Sequence, residues 1–414
     1  MSINIDYRSC CRVCGSENLK RFLNLSNMPF TDDFVSRENL GSEFQNDIDI
    51  YVCLNCLVAQ TQHDVDVADY YQNYQYSVGG SNFATTFMSN LATSSIEKYF
   101  KELPKPKVLE IGSGDGEQLA FFKKSGCDVL GYEPSSYLAE LAIQKGIPTI
   151  QGLFDKNSIE KLPNDFQRVN IILLSYTFDH IPKPIELLKV VNKILDDERG
   201  ILIIEVHDLD KIFERSEFCL FEHEHSIYLT PSTAQSLLSL ENFSVIDFDI
   251  LPEQSRRANS LLFVATKNDS LLSPLKIDAI KKSNFGELSF YEHQANLIND
   301  RIRNLELFLD VRKQQGKKVA GYGAGGRGVM TLAAISNASN LEYLVDKNPK
   351  GKNIFTPKSH VPVFGINKLE EEVVDDIVVF SFGYMEEIKE ELKIFGYKPE
   401  QFYSMIDILT GKVS

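Results

Sequence analysis

The sequence predicts an α/β chain in three parts, a small cysteine-knuckled module followed by two Rossmann-like domains, and three observations carry that expectation. Two Cys-x-x-Cys pairs, at Cys11 to Cys14 and Cys53 to Cys56, open the chain. An apolar strand then runs into three alternate glycines, Val108-Leu-Glu-Ile-Gly-Ser-Gly-Asp-Gly116, and the next strand closes on Glu133. The same grammar returns at Lys318-Val-Ala-Gly-Tyr-Gly-Ala-Gly-Gly-Arg-Gly328, followed by Leu341-Glu-Tyr-Leu-Val-Asp346. At 414 residues the chain exceeds one ordinary domain. The expected divisions are residues 1–72, 73–270 and 271–414.

In the first part, Cys11-Arg-Val-Cys14 and Cys53-Leu-Asn-Cys56 each place two thiolates on one ion, the usual arrangement of a tetrahedral Zn²⁺ site. Four sulfurs leave no open position for water, so the zinc is expected to be structural and inert in the chemistry. A redox pair needs only one such motif, and unligated thiols are the remaining reading. Cys10 adjoins the first knuckle, but Cys11 alone gives the two-residue gap. Cys127 and Cys219 read as buried apolar residues. The segment between the knuckles, with Leu23-Asn-Leu-Ser-Asn-Met-Pro-Phe30, shows little regular periodicity, and so small a module benefits from a metal staple.

The second part opens its βαβ pattern with the strand Lys107 to Ile111, a helix from Gln118 to Lys124, and the strand Cys127 to Glu133. Glycines at 112, 114 and 116 let the backbone turn sharply and approach a ligand, while an acid about 20 positions on accepts ribose hydroxyls. A dinucleotide fingerprint places its third glycine two positions further along. The spacing here, with Glu110 before the first glycine and Pro134 after Glu133, points to S-adenosylmethionine. A ligand-free glycine turn is the bland alternative. Val169 to Ser175 and Gly200 to Val206 are continuous apolar runs suited to central parallel strands, with a helix from Ile185 to Leu195 between them. Ser244 to Ile250 and Leu261 to Ala265 suit an antiparallel edge.

From about 275 to 316 the chain reads as a charged connecting helix with Leu305, Leu307, Phe308 and Val311 among its apolar positions. The second glycine turn follows, then strand and helix candidates at Asp376 to Phe382 and Gln401 to Leu409.

Composition narrows the function. The 43 basic against 58 acidic residues give a net charge of −15, which opposes nucleic-acid binding and attachment to anionic membranes. No apolar run reaches about 18 residues, and no charged-then-apolar leader opens the chain, so a soluble cytoplasmic protein is expected. A monomer is the favoured state.

Catalytic chemistry is expected in the densest polar cluster, Phe221-Glu-His-Glu-His-Ser-Ile-Tyr228. A histidine titrates near neutral pH and takes a proton, and a neighbouring carboxylate orients it. In an extended segment Glu222 and Glu224 would share one side, His223 and His225 the other. Metal binding by the two histidines and a solvated loop are the rival readings. Asp179-His180 follows the strand Ile171 to Leu174, at the end where α/β sheets open onto their ligand crevice. Tyr74 and Tyr76, in Asn73-Tyr-Gln-Tyr-Ser77, are candidate sugar contacts, with core packing as the alternative.

With these residues assembled, the chain resembles the three-domain sugar C-methyltransferases that make branched deoxysugars. The resemblance rests on Cys11-Arg-Val-Cys-Gly15 with Met28-Pro29, Cys53-Leu-Asn-Cys56, Asn73-Tyr-Gln-Tyr76, Glu110-Ile-Gly-Ser-Gly-Asp-Gly116, His180-Ile-Pro182, Glu224-His225, Gly321-Tyr-Gly-Ala324, and Val345-Asp346 before Thr356-Pro357. It implies methyl transfer from S-adenosylmethionine to C3 of a nucleotide-linked 4-keto-6-deoxysugar, commonly a thymidine diphosphate sugar. His225 would remove the C3 proton, Glu224 would orient it, and Tyr76, His180 and Glu222 would complete the catalytic set. Tyr74, His223, Tyr228, Asn259, Tyr322, Arg327 and Asp346 are the expected substrate contacts, the last three from a C-terminal domain that presents the sugar nucleotide.

Three stretches depart from the family pattern. Glu222 stands where relatives tend to have Tyr, Arg257-Ala-Asn-Ser260 replaces His-Gly-Gly-Ser, and Gly323-Ala-Gly-Gly-Arg-Gly328 replaces Gly-Ala-Pro-Ala-Lys-Gly. A carboxylate at 222 opposes an enolate unless it is protonated or turned away. Methylation of a sugar oxygen, and a zinc-stapled binding protein without turnover, are the competing functions.

Overall fold

Four sheets lie among the described residues, one of two strands, one of four and two of seven, and the four-stranded sheet and the C-terminal seven-stranded sheet each take a strand from another part of the chain. The computed structural model describes residues 3–66, 82–257, 259–268 and 287–413.

In the N-terminal part, the ten-residue strand Leu19–Met28 runs antiparallel to Asn46–Cys53, which in turn pairs with Ala59–Thr61. The segment read as lacking periodicity is therefore strand. Leu23, Leu25 and Met28 are buried, and bulges between Arg21 and Leu23 and between Leu25 and Met28 break the strict alternation. The fourth strand of this sheet, Ile227–Tyr228, comes from the middle of the chain and pairs with Gln60 and Ala59. In the other direction, Val35–Ser36 pairs with Ile354–Phe355 and closes the edge of the C-terminal sheet.

The central sheet has seven strands among the described residues, in the order Ser244–Asp247, Ser260–Thr266, Ile201–His207, Ile171–Ser175, Lys107–Ile111, Asp128–Glu133, Thr149–Gln151. The last five are mutually parallel. Ser260–Thr266 is antiparallel to both its neighbours, so of the two strands expected at the edge only Ser244–Asp247 lies there. The runs Ile171 to Leu174 and Ile201 to Ile204 are fully buried, as strands covered on both faces must be.

The C-terminal sheet is a second Rossmann-like unit, with Phe402–Ser404, Asp376–Val379, Val319–Tyr322, Tyr343–Asp346 and Pro362–Gly365 all parallel. The helix Leu288–Gln314 leads into it and buries Tyr291, Ala295, Ile298, Leu305, Leu309 and Arg312, a stripe at helical spacing. Leu307 and Val311 face outward instead. Gly328 lets the helix Gly326–Ala334 close onto its strand, since a Cβ there would lie 2.2 Å from the Gly323 carbonyl oxygen. No helix among the described residues is long and apolar enough to cross a membrane.

Candidate active site

The cofactor turn follows the strand Lys107–Ile111. Gly112, Gly114 and Gly116 have φ values of 75°, 54° and 76°, a region costly to any side chain. A Cβ at Gly112 would also meet Thr177 Oγ1 at 2.4 Å, whereas the space beside Gly114 is open. Glu133 ties the loop to its strand: Oε2 accepts from the Gly114 N–H and Oε1 from the Ser135 N–H, each at 2.8 Å. A carboxylate has about four acceptor positions, so two remain for ribose hydroxyls. Pro134, beside it, is half-buried. Beneath the loop lies buried Glu110, pushed well above the ordinary carboxyl value by burial and then by Glu133. An open backbone cradle over an anchored acid fits S-adenosylmethionine.

The four knuckle sulfurs, from Cys11, Cys14, Cys53 and Cys56, lie within 4.8 Å of one another. Cys11 Sγ is 3.6 Å from Cys56 Sγ, and Cys14 Sγ is 3.5 Å from Cys53 Sγ. Four ligands at about 2.3 Å from a tetrahedral zinc stand roughly 3.8 Å apart, so the donor set fits the metal.

Four polar side chains converge where the parallel strands end. Asp179 lies in the turn Phe178–His180, after Ile171–Ser175, and is 2 % exposed. Its Oδ2 is 2.9 Å from His207 Nδ1, and its Oδ1 is 4.0 Å from His180 Nε2. The His225 ring packs edge-on against His180, with ring centres 4.7 Å apart, and lies 4.8 Å from His207. His225 Nδ1 donates to the Leu220 carbonyl at 2.8 Å, which leaves Nε2 with its lone pair when the ring is neutral.

The environment divides these groups. Burial pulls His180 down to about 3, aided by His225, and pulls His207 down to about 4 despite Asp179. Burial would lower His225 too, but Glu222, Asp179, the Leu220 carbonyl and Glu224 outweigh it and raise His225 above the ordinary histidine value. Burial resists ionisation of Asp179, yet the His207 hydrogen bond and the neighbouring rings hold it below its usual range. Glu222 is pushed up to about 8 by burial, with Glu224 and Asp32 adding to it and His225 and Arg327 opposing.

Other expected site residues are distributed around this cluster. Glu224 is 6 % exposed. The Glu222 N–H donates to the Tyr228 hydroxyl at 3.2 Å, and the Glu222 carboxylate faces Gly326. Asn259, buried, accepts from the Tyr176 hydroxyl at 3.3 Å. Arg327 Nε reaches Glu217 Oε1 at 3.1 Å, and its guanidinium covers Phe382. Asp346 Oδ2 accepts from the Ala324 N–H at 2.8 Å, repeating in the C-terminal unit what Glu133 does in the central one. Tyr74 and Tyr76 lie outside the described residues.

Two expected contacts point elsewhere. His223 does not share a side with His225, because residues 222 to 226 form a turn and not a strand. It is buried among Phe30, Phe44 and His63, so no metal site links the two histidines of the cluster. Tyr322 donates to Glu391 at 3.1 Å within the C-terminal unit.

Sequence reasoning passed over His207, which ends the parallel strand Ile201–His207, the position where such sheets carry ligand-facing groups. It also passed over Tyr176, held at φ 47° beside His207, and over buried Glu205, which lies 3.2 Å from half-buried Arg257 of the departing stretch 257–260.

Comparison with known proteins assigns this architecture. Three family models match in chain order: a zinc binding domain over residues 11–71, a methyltransferase domain over 84–248, and a C-methyltransferase C-terminal domain over 275–406. C-methyltransferase NovU of Streptomyces niveus is 23 % identical over 392 residues, covering 93 % of this chain and 92 % of that protein. Among solved structures, the plantazolicin methyltransferase BpumL in complex with SAH is 20 % identical with a TM-score of 0.37, covering 49 % of this chain and 89 % of that one. An S-adenosylmethionine-dependent methyltransferase of Thermotoga maritima is 20 % identical with a TM-score of 0.33, covering 45 % and 91 %. The CcbJ methyltransferase of Streptomyces caelestis is 13 % identical with a TM-score of 0.34, covering 49 % and 96 %. A zinc-binding domain, a methyltransferase domain with its cofactor turn, and a C-methyltransferase C-terminal domain follow one another here, and the chain is an S-adenosylmethionine-dependent C-methyltransferase with those three parts.

Proposed function

We propose that this enzyme methylates C3 of a nucleotide-linked 4-keto-deoxyhexose, most simply a thymidine diphosphate sugar, through an enolate, in the cytoplasmic synthesis of branched deoxysugars. The observation that carries the reading is the histidine cluster on Asp179, placed where the strands next to the cofactor turn end. A C–H beside a ketone is acidic enough for a buried histidine to remove its proton, since the electron pair is delocalised onto the C4 oxygen. Methylation of an oxygen would need no acidified C–H and so no ketone.

His225 takes the C3 proton on Nε2. Glu224 and Asp179 favour the imidazolium that results, and His180, held neutral, contacts the keto sugar with Tyr76. While His225 is neutral, burial favours the proton on Glu222, and a protonated Glu222 does not repel the enolate. S-adenosylmethionine, held by Gly112, Gly114, Gly116 and Glu133, supplies the methyl group. Base catalysis contributes about 10²- to 10⁴-fold, whereas alignment of two reactants supplies roughly 7–11 kcal/mol, so positioning is the larger share.

Arg327 and Asp346, at the glycine turn of the C-terminal unit, are the proposed contacts to the sugar nucleotide, with Tyr74, Tyr228 and Asn259 lining its path. The proposed unit of function is the monomer, divided near residues 72 and 270. Product analysis tests the reading: NMR of the methylated sugar should place the new methyl on a carbon with no attached hydrogen. A methyl on oxygen would replace C-methylation by O-methylation.

A further inference from the structure

The N-terminal module touches two of the three chain segments that carry the active-site histidines, those of His180 and His225, from its first knuckle and from the strand that follows its second. Arg12 lies inside the first knuckle, its side chain fully buried. Its guanidinium donates to the Pro182 carbonyl at 3.0 Å, two residues beyond His180, and to the Thr61 carbonyl at 2.7 Å. The strand Ala59–Thr61 begins three residues after Cys56. Thr61 Oγ1 donates to the His225 carbonyl at 2.5 Å, and the Thr61 N–H to the Ser226 carbonyl at 3.2 Å.

Two residues further on, His63 makes a further contact. Its Nε2 lies 2.9 Å from His223 Nδ1, and His223 Nε2 lies 2.8 Å from the Met28 carbonyl. A carbonyl only accepts, so His223 carries its proton on Nε2 and offers a lone pair at Nδ1. His63 must then donate from Nε2. The tautomers of both rings are fixed by one backbone carbonyl. The pair is 1 % and 3 % exposed and packed against Phe30 and Phe44. Burial lowers both rings, His63 to about 4 and His223 to about 3, so neither becomes charged near neutrality.

We infer that His63 and His223 are positioning residues for His225: the zinc module, acting through Arg12, Thr61 and this histidine pair, fixes the turn in which His225 sits and the segment that carries His180. The metal does no chemistry, but the strand that leaves its second knuckle sets where the base stands. Misplacement of a catalytic group by about 1 Å costs on the order of 10²-fold.

The inference rests on the proposed reaction only for its kinetic arm. His63→Leu removes the donor, whereas His63→Gln keeps an amide N–H at similar reach. The expected result is a kcat lowered by about 10²-fold in His63→Leu, with KM and cofactor affinity unchanged, and recovery of most of that loss in His63→Gln. An unchanged kcat in His63→Leu, or equal losses in the two variants, overturns it. If the wild type itself does not turn over the keto sugar, the functional reading fails and the structural arm still decides this one. That arm is ¹⁵N NMR of the histidine rings in the unmodified protein, which also serves if His63→Leu does not fold. Both His63 and His223 are expected as Nε2–H tautomers, and an Nδ1–H tautomer at either overturns the inference.

Discussion

Asp179 holds His207 by a 2.9 Å hydrogen bond to Nδ1 while lying close enough to His180 and His225 to be stabilised by both. One buried carboxylate thus anchors one imidazole and lies beside two more, and it follows the end of one parallel strand while His207 ends its neighbour.

Replacing Asp179 with Asn should lower kcat by about 10²- to 10⁴-fold while cofactor affinity persists. It should also move the acid limb of the pH profile. His225 is raised above the ordinary value of 6.5 partly by Asp179 and must be neutral to accept a proton, so wild-type activity rises with pH through a midpoint above that value. Without Asp179 the midpoint moves to lower pH. A profile of kcat against pH for both proteins checks the sign.

Glu222 should supply the alkaline limb. Its raised carboxyl loses its proton as the pH climbs through about 8, which puts a negative charge beside the developing enolate. Glu222→Gln is expected to retain activity at pH 7 and to keep it at pH 9, where the wild type declines. Steady-state rates at the two pH values decide this.

Gly112→Ala should abolish cofactor binding. The residue adopts φ 75°, which costs a side chain roughly 1–2 kcal/mol, and its Cβ would collide with Thr177 Oγ1. Titration calorimetry with S-adenosylhomocysteine is the direct readout, and wild-type affinity in the variant would contradict the assignment of the turn.

Arg327→Ala leaves Glu217, whose side chain is fully buried, without its cation. Breaking a buried pair costs roughly 3–5 kcal/mol, and less is expected here because the Arg327 side chain is 39 % exposed. Thermal unfolding should show a lowered Tm, and Arg327→Lys should restore only part of it, since an ammonium lacks the planar fork.

The local parts of this architecture were legible in the sequence. The knuckles, the two glycine turns, Glu133 and the apolar central strands each announce themselves within a few residues, because backbone conformation and burial act over that range. What stayed hidden depends on distant segments. Val35–Ser36 and Ile227–Tyr228 are two-residue strands with no pattern of their own, defined only by the sheets they complete. Arg12 meets Pro182 across 170 positions. His223 and His225 part company because their segment turns, and period-two reasoning assumed that it was extended. His207 is a lone histidine whose meaning comes from Asp179.

The central claim is that proton removal at C3 precedes methyl transfer, and mass spectrometry of a nucleotide-linked 4-keto-2,6-dideoxyhexose incubated with the enzyme in heavy water tests it most directly. The account predicts deuterium at C3 without S-adenosylmethionine, a C-methylated sugar when the cofactor is added, and loss of both in His225→Ala. Cofactor binding with neither exchange nor methylation of the keto sugar would contradict it.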